Sequence, residues 1–301
     1  MPSPTTQSAP NSLGLRMPAE WDTHEATWLG WPHELTDWPG KFAPIPWAFA
    51  EIVRHLSQVE RVYLLVENRD SESRVRTILK KSGANLDAVD FFRIPTDRGW
   101  MRDSGPICVM NPSGEVAYTN WRFNGWVKYD NHKQDALVVS AANRKLKRRI
   151  WLPRHKNRRV VLEGGSIDVN GRGTLLTTEE CLLSKTQERN PGFSREDYAE
   201  VFKNYFGVTN VLWLKNGIAG DDTHGHVDDL ARFVDPATVV TVVENDPNDA
   251  NYAPLRENLA LLKNMRDQDG QPLRVETFPM PAPVLFDGQR LPASYANFYI
   301  A

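Results

Sequence analysis

Asp221-Asp222-Thr223-His224-Gly225-His226-Val227-Asp228-Asp229 sets four carboxylates and two imidazoles within nine residues. The apolar, β-prone Val211-Leu212-Trp213-Leu214 precedes it, and Leu230-Ala231-Arg232-Phe233-Val234 follows. The stretch therefore reads as a loop and strand start between buried strands, where polar groups need partners. Three chemistries fit it. The first is a solvated acidic loop. The second is a metal site, because in an extended strand His224, His226 and Asp228 share one face at a ligand spacing. The third is an acid/base pair in which the Asp228 carboxylate fixes the His226 tautomer.

The whole chain narrows the choice. Its 301 residues are 41 % hydrophobic and 25 % charged, with a formal net charge of −2. That is an ordinary globular composition, enough for one large core or two small ones. So small a charge gives no electrostatic case for nucleic acid or a membrane surface, and no run approaches the length of a membrane span. Two cysteines, Cys108 and Cys181, cannot build a disulfide framework, so a cytoplasmic protein is expected. Residues 1–14 are expected to be a disordered Ser/Pro/Thr/Gln-rich tail, and residues 15–301 a single domain.

Working outward, a unit recurs: strand, polar loop, hairpin, helix. Hairpin turns are predicted at Asn111-Pro112-Ser113-Gly114, Asn170-Gly171-Arg172-Gly173 and Asp235-Pro236. Helices are predicted from Pro46, from Asp70 to Gly83, over 132–145, from a Ser194 cap, and over 252–265. Strands are predicted at 62–66, 89–94, 160–162, 211–214, 273–278 and 294–300. The polar loops carrying Asp103, Glu163, Asp228 and Asn297 follow one another at intervals of about 60–70 residues. Such a period suggests radially arranged units, each giving one loop to a common centre, where Asp103, Glu163, His226, Asp228 and Trp100 would meet. Carboxylates in a plane and an aromatic face suit a guanidinium.

Here the residues carry a resemblance. Trp100-Met101-Arg102-Asp103-Ser104-Gly105-Pro106, Glu163-Gly164-Gly165-Ser166, Gly225-His226-Val227-Asp228-Asp229 and Ser294-Tyr295-Ala296-Asn297 resemble the agmatine deiminase and bacterial peptidylarginine deiminase family. Met17-Pro18-Ala19-Glu20-Trp21 and Gly30-Trp31-Pro32 resemble its opening. That family belongs to the guanidine-modifying superfamily with the pentein fold. The resemblance implies an α/β five-bladed propeller of repeated ββαβ units and a small guanidine substrate, with no metal or organic cofactor. Self-association stays open.

The resemblance also implies roles. Asp103 and Asp228 would grip the guanidinium, Trp100 would lie along the substrate stem, and Asn297 would line the site. Glu163 would be a second acid and His226 the general acid/base. Agmatine would be hydrolysed to N-carbamoylputrescine, a step of polyamine biosynthesis, through a cysteine thiouronium. The alternatives are a peptidylarginine deiminase forming citrulline, with Arg122 the residue bearing on that choice, and an inactive guanidine-binding protein.

The implied nucleophile is a cysteine near the C-terminus, and no cysteine follows Cys181. The expectation is therefore a chain that stops inside its fifth unit. Neither cysteine present is expected to substitute. Cys108 sits in a strand and reads as a buried structural thiol, and Glu179-Glu180 before Cys181 would blunt a thiolate. The basic run over 144–159 reads as a solvated helix end, His224 as structural, and Arg98 stands where relatives carry an acid.

Overall fold

The computed structural model describes residues 8–301. The chain divides into two compact units, where one domain is expected over 15–301. One is built from Asp22–Pro106 and Arg122–Arg148, the other from the described residues up to Trp21 with Ile107–Trp121 and Arg149–Ile300.

The first unit holds a three-stranded, all-parallel sheet in the order Thr27–Gly30, Val62–Val66, Val89–Arg93. Every residue of Val62–Val66 is buried, which is why it reads as an unbroken apolar run rather than an alternating one. The helices Ile45–Leu56 and Arg69–Ser82 supply the crossovers and pack Val53, Leu56, Val75 and Leu79 into the core. The second helix is capped by Asn68, not by Asp70 as the sequence suggests. The Asn68 side chain accepts the N–H groups of Asp70 and Ser71, and Ser71 answers with a reciprocal bond. The helix expected over 132–145 is a short 3-10 turn, Asp135–Leu137, running into Val138–Leu146. Asp135 is buried there because its carboxylate accepts the N–H groups of Arg98 and Gly99.

The second unit repeats one construction three times: an antiparallel hairpin, then a third strand parallel to its second arm. The first sheet is Ile107–Met110, Val116–Thr119 and Ile150–Trp151. The next is Asp168–Val169, Thr174–Thr178 and Asn210–Leu214. The third is Ala231–Asp235, Thr238–Val243 and Arg274–Pro279. In chain order the helices Val138–Leu146, Arg195–Phe206 and Tyr252–Asn264 precede the three closing strands, as a parallel crossover demands. The unit's apolar residues fall into two clusters, one around Tyr198, Phe202 and Phe206, the other around Leu230, Phe233 and Leu262.

Three expectations change. Residues 1–7 of the expected tail lie outside the described residues, but 8–14 have structure: Pro10–Leu13 is a 3-10 turn and the Ser8 carbonyl accepts the Trp151 indole N–H at 2.8 Å. Val160–Leu162 is buried but is not a ladder strand. Val161 stands in an isolated β-bridge, and the Asn190 amide bonds its backbone, accepting from the Val161 N–H at 2.9 Å and donating to its carbonyl at 2.8 Å. Ser294–Ile300 is likewise not a strand. Its polar groups go to side chains instead: Phe298 O accepts from Arg232, and the Ile300 N–H donates to Glu20. No helix among the described residues is long and apolar enough to cross a membrane.

The capping box expected at Ser194 is present, with Ser194 and Asp197 bonding each other's N–H groups. Asp197 also meets Lys156 Nζ at 2.6 Å and His155 Nε2 at 2.7 Å, with Glu200 3.9 Å from the other His155 nitrogen. Lys156, the Ser194 N–H and His155 hold the Asp197 carboxyl well below its ordinary value. A depressed carboxyl contributes stability above its unfolded pKa of about 4, and that contribution fades as acid protonates the folded form. Thermal unfolding from pH 7 to pH 3 is therefore expected to show wild type more stable than Asp197→Asn at neutral pH, with the gap closing below about pH 4. A gap that stays constant across that range would contradict the assignment.

Candidate active site

The opening stretch is not a strand. His224 is left-handed at φ 66° and Gly225 follows at φ 88°, so His224, His226 and Asp228 do not share a strand face. A Cβ on Gly225 would stand 2.8 Å from Glu180 Cβ, so a side chain is excluded on both counts. Asp221 ties the turn down. Its carboxylate accepts the N–H groups of Thr223 at 2.8 Å, Gly225 at 2.8 Å and His226 at 3.1 Å. The chain then enters a 3-10 turn, Val227–Asp229. His224 points away to Glu180, at 3.7 Å, and Ser184, at 3.2 Å, which fits the structural role expected of it.

What the turn delivers is a buried row. The His226 side chain is 4 % exposed, with Nε2 3.8 Å from Glu163 Oε2 and Nδ1 3.9 Å from Asp228 Oδ1. Both gaps exceed hydrogen-bond length, so the imidazole is flanked by carboxylates and not locked to either. Glu163 is fully buried at the cap of the Gly164–Ser166 turn. Burial alone would raise its carboxyl, but the charges of Arg189 and then His226 prevail and hold it below its ordinary value.

Arg189 is the residue that sequence reading misses. Its side chain is fully buried, with Nε 3.2 and 3.4 Å from the two Glu163 oxygens. Its remaining nitrogens donate to the Gln187 carbonyl at 3.0 Å and to the Thr223 carbonyl. One guanidinium thus holds both the acid and the loop that carries the imidazole. The only signal in the sequence is the charge itself, in the polar run Lys185-Thr186-Gln187-Glu188-Arg189-Asn190.

Asn297 donates to Asp229 Oδ1 at 3.0 Å, and the Ser294 hydroxyl donates to the Asp229 carbonyl at 2.7 Å. Asn297 therefore supports the neighbour of Asp228. Burial, with the charges of Asp228 and Asp221, pushes the Asp229 carboxyl up. The 294–297 segment and the 226–229 turn are in this way stitched together.

Trp100 and Asp103 belong to the other unit. The Asp103 carboxylate accepts the Trp126 indole N–H at 3.1 Å. Trp100 is 40 % exposed, donates to Asp37 at 2.9 Å, and lies with its ring centroid 5.5 Å from that of Trp38. Arg98 also pairs with Asp37 and stacks 3.6 Å over the Tyr129 ring. It braces the loop before Trp100, which gives this departure from the expected acid a structural purpose. Arg122 is exposed.

Both cysteines depart from their readings. Cys108 is half-buried, not buried. Cys181 is buried on the short helix Glu179–Leu183, and one donor atom from each of Glu163, Cys181 and His226 lies within 4.8 Å of the others. The two glutamates before it are occupied elsewhere: Glu179 with Arg195 and Lys215, and Glu180 with the Gly217 N–H.

A family model for Porphyromonas-type peptidyl-arginine deiminase matches residues 16–301. The chain belongs to that family. Among relatives, the agmatine deiminase of Ectopseudomonas mendocina is 35 % identical over 285 residues, covering 93 % of this chain and 74 % of the relative. The agmatine deiminase of Stutzerimonas stutzeri is 34 % identical over 319 residues, covering 98 % and 83 %. A solved agmatine deiminase from Enterococcus faecalis superposes with a TM-score of 0.86 at 31 % identity, covering 98 % of this chain and 83 % of that one. The α/β fold is therefore that of a Porphyromonas-type peptidyl-arginine deiminase family member, and the resemblance read from the motifs is shown.

Proposed function

We propose that the protein is a hydrolase of amidine C–N bonds, with agmatine as substrate, N-carbamoylputrescine and ammonia as products. One observation carries this reading: a buried imidazole flanked by two carboxylates, His226 between Glu163 and Asp228, in a chain 34–35 % identical to agmatine deiminases. In this reading the three repeated sheets are blades of a five-bladed α/β-propeller of the pentein type. Asp228 takes the guanidinium in its plane beside His226, Asn297 lines that site through Asp229, and the substrate is a small guanidine compound.

The chemistry runs in two halves. A cysteine thiolate attacks the guanidinium carbon and forms a C–S bond. The C–N bond breaks as His226 donates a proton to the departing ammonia. Water then attacks the thiouronium carbon, giving one proton to His226; the C–S bond breaks to return the thiolate, and the remaining hydroxyl proton passes to solvent as the ureido product forms. Glu163, kept ionised by Arg189, steadies the imidazolium between the halves. No step draws on a metal or organic cofactor.

A thiolate of this type calls for a cysteine that residues 182–301 do not supply, so the test is made on the full gene product. Agmatine turnover to N-carbamoylputrescine with stoichiometric ammonia is expected. The family model's description favours a second reading, citrulline formation on peptidyl-arginine. Turnover of an arginyl peptide and not agmatine would install that reading in place of the first. Tight agmatine binding without ammonia release would make the protein a guanidine-binding one.

A further inference from the structure

Cys181 takes no part in the chemistry above, yet it stands beside the acid and the base. One donor atom from each of Glu163, Cys181 and His226 lies within 4.8 Å of the other two, and all three residues are buried. Ligands on a tetrahedral Zn²⁺, at about 2.0–2.3 Å from the ion, stand about 3.3–3.8 Å apart. His226 Nε2 and Glu163 Oε2 stand 3.8 Å apart and all three donors lie within 4.8 Å, so small side-chain shifts bring the set to that spacing.

The surroundings hold these donors in place. Arg189 Nε donates to both Glu163 oxygens, at 3.2 and 3.4 Å. Of the two His226 nitrogens, Nε2 is the one that faces Glu163, while Nδ1 faces Asp228. Thr178 accepts the Cys181 N–H at 3.0 Å and donates its own hydroxyl proton to the Gly225 carbonyl, coupling the cysteine to the loop that carries His226.

We propose that Glu163, Cys181 and His226 form an inhibitory site for a thiophilic divalent cation of the Zn²⁺ and Cd²⁺ class. A thiol, an imidazole and one carboxylate select such an ion over Mg²⁺ or Ca²⁺, which ask for oxygen ligands. Binding expels the thiol proton and forms bonds from the ion to Sγ, Nε2 and a Glu163 oxygen, with no redox change. The imidazole lone pair that would shuttle protons is then committed to the ion, so the site is an off switch. That consequence rests on the role assigned to His226; the binding itself does not.

The 301-residue chain suits the test, because Cys108 and Cys181 are its only thiols. Titration with Cd²⁺ is expected to raise one thiolate-to-metal charge-transfer band per chain, unaffected by a large excess of Mg²⁺. Cys181→Ser should abolish the band and Cys108→Ser should leave it. Glu163→Gln and His226→Gln should each weaken binding by more than about 100-fold, and they carry the test if Cys181→Ser does not fold. A band that follows Cys108, or binding indifferent to Glu163 and His226, overturns the site. In the full gene product, Zn²⁺ should abolish ammonia release and a chelator should restore it. A confirmed band on a protein that never turns over a guanidine would leave the metal site standing and remove the proposed function.

Discussion

His226→Gln in the full gene product is expected to lower kcat for agmatine about 10²- to 10⁴-fold, with much less change in KM. Glutamine keeps much of the shape and can still donate a hydrogen bond, but it cannot take up and return a proton. Both halves of the proposed reaction need that exchange, first to the leaving ammonia and then from water. The substrate grip is assigned to carboxylates, so ground-state binding should survive. The flanking geometry should also survive, because Glu163 is held by Arg189 and the turn by Asp221. Steady-state kinetics on variant and wild type make the measurement. A drop in kcat below about tenfold would mean that another group moves the proton.

The second large effect is on stability. Arg232 is almost completely buried, with Nε 3.0 Å from Asp168 and Nη2 2.6 Å from Glu20. Asp168 also accepts the Phe233 N–H at 2.6 Å. Burial works against the guanidinium charge, and the two carboxylates more than offset that cost and keep it protonated. Arg232→Met leaves both carboxylates without their common partner in a low-dielectric core. The expected loss is about 3–5 kcal/mol, read as a lower urea midpoint. Adding Asp168→Leu and Glu20→Gln to Arg232→Met should recover part of it, because an apolar replacement removes the stranded charge instead of exposing it. An unchanged midpoint in the single variant would show that water reaches the group and that the pairing contributes little.

What the sequence made legible was local. The Ser194–Asp197 capping box, the hairpin turns and the all-apolar strand Val62–Val66 are written in neighbouring residues, and they stand where the patterns put them. The recurrence of hairpin, helix and third strand came through because each unit repeats the same short-range grammar. The motif residues Glu163, His226 and Asp228 were also legible, and they do meet.

What stayed hidden depends on contacts between distant residues. Nothing near Arg189 announces that it holds Glu163, and nothing near Asn190 says that its amide completes the backbone pairing of Val161. Cys181 shows the converse failure. Its chain neighbours Glu179 and Glu180 are the charges that the sequence puts beside it, whereas successive side chains on a helix turn point apart. Those two glutamates find partners of their own, and the carboxylate that the thiol meets is Glu163. His224 and His226, two residues apart, would share one face of a strand, and the positive φ of His224 separates them.

Arg232 also donates to the Phe298 carbonyl at 2.7 Å, while Glu20 accepts the Ile300 N–H at 3.0 Å. On the ribosome, at roughly 5–20 residues per second, several seconds separate the translation of Arg232 from that of Ile300. Throughout that interval the nascent chain carries a guanidinium awaiting its last acceptor and an acid awaiting its last donor. The growing polypeptide therefore passes through a wet, half-closed stage until Ile300 has been made. In a living cell, that is the moment when holding chaperones and proteases would have their best access to it.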